Sequence, residues 1–207
     1  LSTQTWPTGI AVGDIDGDGK IDIIVTNYGT GTNSMSVYKN TNESGSISAG
    51  AFSRLDYTTG TGPNYVSVTD MDGDNKPDII VTNFGPSNNT ISVFKNNSTS
   101  GTISLAGKVD FTTGSGPNGI SIGDIDGDGK PDIALANNSG SSISVLRNNI
   151  QPGSTAPTIN SFTPSSGVAG SSVTITGTNY GATQGTSTVK FGTTTATAIS
   201  WSDTQII

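Results

Sequence analysis

With 207 residues, 31% of them hydrophobic, 28 glycines and only 12% charged, the chain is long enough for one or two domains and apolar enough for a core of ordinary size. Its formal charge of −7, with only nine Lys and Arg, argues against nucleic acid or an anionic membrane as a partner. The lack of cysteine excludes a disulfide framework and thiol chemistry, the lack of histidine removes the commonest general base, and no apolar run approaches the roughly 18 residues of a membrane span.

The first predicted strand is WPTGIAVG (Trp6 to Gly13), a proline turn followed by alternating apolar and small residues. The acidic segment DIDGDGKID (Asp14 to Asp22) comes next, then the β-branched run IDIIVTN, a polar turn, and the alternating segments MSVYKN (Met35 to Asn40) and FSRLDYTTG (Phe52 to Gly60). The same order returns in GPNYVSVT (Gly62 to Thr69), DMDGDNKPD (Asp70 to Asp78), PDIIVTN, ISVFKN (Ile91 to Asn96) and GKVDFTTG (Gly107 to Gly114). It begins a third time in GPNGISIG (Gly116 to Gly123), DIDGDGKPD (Asp124 to Asp132), PDIALAN and ISVLRN (Ile143 to Asn148), after which the text changes and no fourth strand is predicted. The acidic segments start 56 and then 54 residues apart. Four short antiparallel strands per unit, with no helical period, are the pattern of a propeller blade or similar meander stack. A single four-stranded unit cannot bury both of its faces, so the units are expected to stack.

Each acidic segment carries aspartate at positions 1, 3, 5 and 9: Asp14, Asp16, Asp18 and Asp22; Asp70, Asp72, Asp74 and Asp78; Asp124, Asp126, Asp128 and Asp132. These twelve account for most of the sixteen acidic residues. Carboxylates crowded this closely repel by about 1 kcal/mol per pair even in water, a cost that a hard, oxygen-seeking cation removes. The alternating spacing turns those side chains inward and offers the backbone carbonyl of position 7, Lys20, Lys76 or Lys130, as a further ligand. Position 6 is Gly19, Asn75 or Gly129, residue types that tolerate a positive φ at a sharp turn. Calcium is the expected ion, one per repeat, because magnesium keeps its water and avoids all-protein cages. The segment resembles the first nine positions of an EF-hand, but position 12 is Val25, Val81 or Leu135, inside a predicted strand, so it joins strand to strand.

The repeat, over about residues 5 to 150, resembles the FG-GAP family, also described as VCBS repeats, through its DxDGDGxxD loop, apolar core strand and VxVxxN strand. That family is similar to the integrin α-chain propeller. The resemblance implies an all-β fold in which repeats at about 5–60, 61–114 and 115–150 are three four-stranded blades of a larger β-propeller of about seven. It also implies a calcium ion in each loop between first and second strands. The missing fourth strand of the third repeat predicts that the chain is part of a longer protein whose other terminus completes that blade.

Residues 151–156, with Pro, Gly and Ser, read as a linker. From residue 157 to 207 the aspartate clusters vanish and strands are predicted every 8 to 12 residues, as in an immunoglobulin-like sandwich. Pro157, Phe162, Pro164, Gly167, Gly170, the VTITGTNYG strand and the VKFG strand closely resemble the IPT/TIG family. The stretch is about half of a ~100-residue sandwich, so a partial Ig-like domain is expected.

Nearly every carboxylate is committed to a loop, and the equivalent Asp56 and Asp110 sit in repeated outer strands, which favours a structural role. No Walker, GxSxG or dinucleotide signature is present, and no catalytic residue is assigned. The expected function is a non-enzymatic, calcium-stabilised scaffold or adhesion module of a larger extracellular or cell-surface protein of bacterial type, presenting loops to a protein or glycan ligand, with no nucleic-acid partner and no membrane insertion. The alternative is an accessory or carbohydrate-binding propeller of an extracellular polysaccharide-degrading enzyme, in which Trp6 and Tyr65 stack on sugar.

Overall fold

The computed structural model describes residues 1–29, 32–85, 88–150, 157–181, 183–184 and 187–207. Two compact units emerge, Leu1–Pro152 and Gly153–Ile207. The predicted linker at 151–156 lies outside the described residues. Among the described residues no helix is long and apolar enough to cross a membrane.

The first unit is a run of antiparallel meanders. Strands β1 (Pro7–Gly13), β2 (Asp22–Gly29), β3 (Thr32–Asn40) and β4 (Phe52–Thr58) form one sheet in chain order. The second sheet repeats that order with β5 (Pro63–Thr69), β6 (Asp78–Gly85), β7 (Asn88–Phe94) and β8 (Val109–Thr112). Among the described residues the third contains three strands, β9 (Pro117–Gly123), β10 (Asp132–Asn137) and β11 (Ser142–Leu146). The expectation of three four-stranded blades is thus met twice. The third sheet has three strands because the alternating pattern stops after Asn149. In every sheet the register of the first pair slips by a bulge just after the entering proline or before it in the partner, as at Pro7/Ile10 and Pro63/Val66.

The second strand of each sheet, β2, β6 or β10, carries a run of apolar residues that is buried or half-buried on both faces, and it is there that burial is densest. One core joins Ile24, Met35 and Val37 of the first sheet to Val66, Ile79, Val81 and Phe94 of the second. Another joins Met71, Ile80 and Ile91 to Ile133 and Leu135 of the third. Each fully buried side chain of this kind contributes about 1.5–3 kcal/mol, so stacking of sheets supplies what no single sheet could. The principal close approaches between sheets all involve the first strand of the following sheet: β5 against β1, β2 and β3, and β9 against β5, β6 and β7. The sheets therefore converge at their first strands, as blades do.

In the second unit β12 (Thr158–Thr163), β13 (Thr174–Thr178) and β16 (Gln205–Ile206) form a sheet, and β14 (Val189–Phe191) pairs with β15 (Thr194–Ala196). Ile175, Tyr180 and Ile206 form its core, with Val189 and Trp201 packed against them. The Trp201 indole N–H donates to the Tyr180 carbonyl at 3.0 Å, which satisfies the one polar atom of that ring. The arrangement is consistent with part of an Ig-like sandwich.

Candidate metal centres

Each acidic segment is the hairpin connecting the first and second strands of its sheet, and its shape follows from where glycine falls. Gly17 and Gly19 both take positive φ (68° and 85°), and nothing lies within 4 Å of a Cβ built on either, so backbone conformation alone demands them. In the second loop Asn75 holds the same conformation at φ 63°, as its position predicted.

The four aspartates of a loop have separate tasks. At position 1, Asp14 accepts N–H bonds from Asp18 (3.1 Å) and Gly19 (2.9 Å), which closes the turn on itself. Asp70 accepts from Gly73 and Asn75, and Asp124 from Gly127, Asp128 and Gly129, in the same manner. Position 3 accepts from the N–H of position 5 in all three loops. Position 5 accepts from the N–H of Lys20, Lys76 or Lys130 at 2.9–3.0 Å. Position 9 opens the second strand and is buried. Asp22 accepts from Ile15 N–H (3.0 Å) on one oxygen and from Asn40 N–H (2.8 Å) on the other. Asp78 does so with Met71 and Asn96, and Asp132 with Ile125 and Asn148.

Three carboxylate oxygens converge within 4.8 Å in each loop: Asp14, Asp16 and Asp18; Asp70, Asp72 and Asp78; Asp124, Asp126 and Asp132. Each triad could hold a metal ion. Positions 1 and 3 belong to all three triads, and the third member is position 5 in the first loop and position 9 in the others. The sequence pattern treats the four aspartates as equivalent, but their geometry is not equivalent.

A residue that the pattern did not single out faces every triad. Lys39 Nζ, near the end of β3, bonds one oxygen of Asp16 and lies 3.2 Å from Asp18. Lys95 pairs in the same way with Asp72 and with Asp74 at 3.2 Å, and the Arg147 guanidinium with Asp126 and with Asp128 at 3.2 Å. The available signal was the basic residue before the final Asn of MSVYKN, ISVFKN and ISVLRN.

The electrostatics follow from this partition. Burial, together with the neighbouring charges of Asp16 and Asp18, pushes the Asp22 carboxyl above its ordinary value despite the two N–H bonds it accepts. Asp78 is raised for the same reasons. Asp132 is lowered, chiefly by the Asn148 and Ile125 N–H groups. Burial acts to raise Asp18, but the Lys20 N–H and Lys39 outweigh it and bring the group down. Hydrogen bonding to Asp16, Asp72 and Asp126 raises Lys39, Lys95 and Arg147 respectively.

Asp56 and Asp110 lie away from the loops. Each accepts from a buried serine, Ser36 or Ser92, at 2.7 Å, and that serine accepts from Asn27 or Asn83 Nδ2, a polar chain crossing three strands. Each of these carboxylates ends a hydrogen-bonded chain across its own sheet.

The family model of the FG-GAP-like repeat matches residues 14–81 and 70–135, and that of the IPT/TIG domain matches 157–207. Each repeat match opens on an acidic loop and ends in the second strand of the following sheet, so the recognised unit includes the contact between sheets. Comparison with curated proteins finds no match.

Proposed function

This chain belongs to the FG-GAP-like repeat family, with an IPT/TIG domain after its repeats, and from that premise we propose that it is a calcium-stabilised, non-enzymatic binding scaffold of a larger extracellular or cell-surface protein. Both domain types fit an extracellular binding or adhesion module. The observation that carries the reading is the threefold convergence of carboxylate oxygens within 4.8 Å on a loop whose backbone is already closed by its own hydrogen bonds.

The donor set fits calcium: every candidate ligand is a hard oxygen, the donor type that ion takes. In this reading Asp14, Asp16, Asp18 and Asp22, with the Lys20 carbonyl, hold one ion. Asp70, Asp72, Asp74, Asp78 and the Lys76 carbonyl hold a second, and Asp124, Asp126, Asp128, Asp132 and the Lys130 carbonyl a third. The ion's contribution is charge neutralisation and rigidity at the edge where consecutive blades meet. At ~1 mM calcium and a dissociation constant of ~0.1 mM, one site contributes about 1.4 kcal/mol. Three sites give ~4 kcal/mol, a large part of a typical 5–15 kcal/mol. The test is thermal unfolding with calcium and with excess EDTA; identical melting curves would refute the proposal.

A second reading, a carbohydrate-binding propeller attached to a polysaccharide-degrading enzyme, is favoured by one feature. Trp6 is 62% exposed, stacks on Tyr28 with ring centroids 6.4 Å apart, and sits at φ 53° where the equivalent residues are Gly62 and Gly116. A bulky residue held in a glycine conformation stores strain of the kind found at ligand sites. Tyr65, 47% exposed, opens the next blade. Selective binding on a glycan array, abolished by Trp6→Ala, would favour this reading; silence leaves adhesion or display.

A further inference from the structure

We propose that the third-strand cation of each repeat, Lys39, Lys95 or Arg147, is a built-in competitor of the metal ion. It holds the position-3 and position-5 carboxylates when no ion is bound, and it sets the loop's affinity for calcium below what the carboxylates alone would confer. The inference rests on the calcium reading above and adds to it a means by which the chain tunes the same sites.

The contact is built the same way three times. In each repeat the basic side chain reaches from the end of the third strand to its own loop and touches one oxygen of each of two aspartates, Oδ2 in every case. The Oδ1 atoms of the same aspartates accept loop N–H groups. The cation therefore takes the oxygens that the backbone leaves free. An ion in the loop draws on the position-3 carboxylate in all three triads, and on the position-5 carboxylate as well in the first, and it faces the ammonium or guanidinium across them. Two like charges that share anionic partners weaken one another, and the coupling is reciprocal: the cation lowers affinity for the ion, and the ion lowers the cation's hold on the loop. This holds whether the side chain is displaced or stays in place. Exposure orders the effect. The Lys39 side chain is 17% exposed, Lys95 46% and Arg147 58%, so water screens the third pair most and the first pair least.

The test is titration calorimetry of the whole chain with calcium chloride, alongside unfolding in EDTA, for the wild type and for Lys39→Met/Lys95→Met/Arg147→Met, which keeps most of each apolar stem. The triple variant is expected to bind calcium roughly three- to tenfold more tightly per site and to melt lower than wild type in EDTA. Among single variants the gain falls in the order Lys39, Lys95, Arg147. Lys39→Arg and Lys95→Arg keep the charge and are expected to leave both measurements near wild type. Unchanged or weaker calcium affinity in the triple variant overturns the proposal. If that variant does not fold without calcium, Arg147→Gln, at the most exposed of the three positions, carries the same test with the same signs at one site. A wild-type chain that takes up no calcium would defeat the calcium reading itself, and the inference with it, before any substitution is made.

Discussion

Asn96 donates its side-chain amide to the backbone carbonyl of Ile15 at 2.8 Å, across 81 positions of sequence. Asn148 makes the same bond one repeat later, to Met71 at 2.7 Å. Each of these asparagines also gives its backbone N–H to the position-9 aspartate of its own repeat, Asp78 or Asp132, at 2.8 Å. One buried residue thus fastens its own acidic loop and the loop of the preceding sheet. The loops are part of the joint between sheets as well as candidate cation sites.

Removing that joint has a predictable cost. Asn96→Ala deletes bonds to the Ile15 and Pro77 carbonyls and leaves the Ser98 N–H without its acceptor, all at a fully buried position. A loss of about 2–3 kcal/mol is expected from urea unfolding. Asn40, the equivalent residue of the first repeat, bonds Ile21 and Asn42 within its own sheet, and Asn40→Ala should cost about half as much. Equal costs would show that the bond between sheets adds nothing.

Asp22 and Asp14 should separate structural from ion-binding roles. Asp22→Ala strips two buried N–H groups, those of Ile15 and Asn40, of their acceptor and is expected to cost about 2–4 kcal/mol even in EDTA. Asp14 is only partly buried, and water can replace its carboxylate, so Asp14→Ala should cost under about 1 kcal/mol in EDTA while still lowering calcium stoichiometry by one site. Comparable losses in EDTA for both variants would contradict this division.

Gly60 is required by space. A Cβ there would lie 2.5 Å from Asn83 Nδ2, and Asn83 is pinned by bonds to Thr90 and Ser92. Gly60→Ala is therefore expected to cost about 1–3 kcal/mol through overpacking. Gly50, whose Cβ would meet only Ser48 at 3.9 Å, is the control, and its replacement by Ala should be near neutral by thermal melting.

The pH dependence should change sign with the ion. In the metal-stripped protein burial raises Asp22 and Asp78 above the ordinary 3.8, so their protonated forms are favoured by the fold. Their ionisation costs stability at neutral pH, and that cost is relieved as pH falls through the raised values towards 3.8. Below that point stability declines, because Asp18 and Asp110 are held down by hydrogen bonds and charge partners that protonation removes. With excess calcium, protons and the ion compete for the same oxygens, and stability should fall steadily over the same acidic range. Melting temperatures measured against pH with and without calcium would show the two slopes; slopes of one sign would exclude the scheme.

The sequence by itself determined the strand order of each repeat, the hairpin position of each acidic loop, and the need for glycine or asparagine at its turn. All of these depend on segments that follow one another in the chain, where spacing and alternation translate directly into geometry. It also made the three-stranded third sheet legible, since the pattern stops after Asn149. Tertiary structure alone decided how the aspartates divide their work. Asp22, Asp78 and Asp132 are buried hubs because β3, β7 and β11 bring an N–H to them, and Lys39, Lys95 and Arg147 face the loops because the same strands end there. The bond from Asn96 to Ile15 exists only because two sheets, separate in sequence, bury their apolar faces against each other, and burial of that kind acts across any distance along the chain.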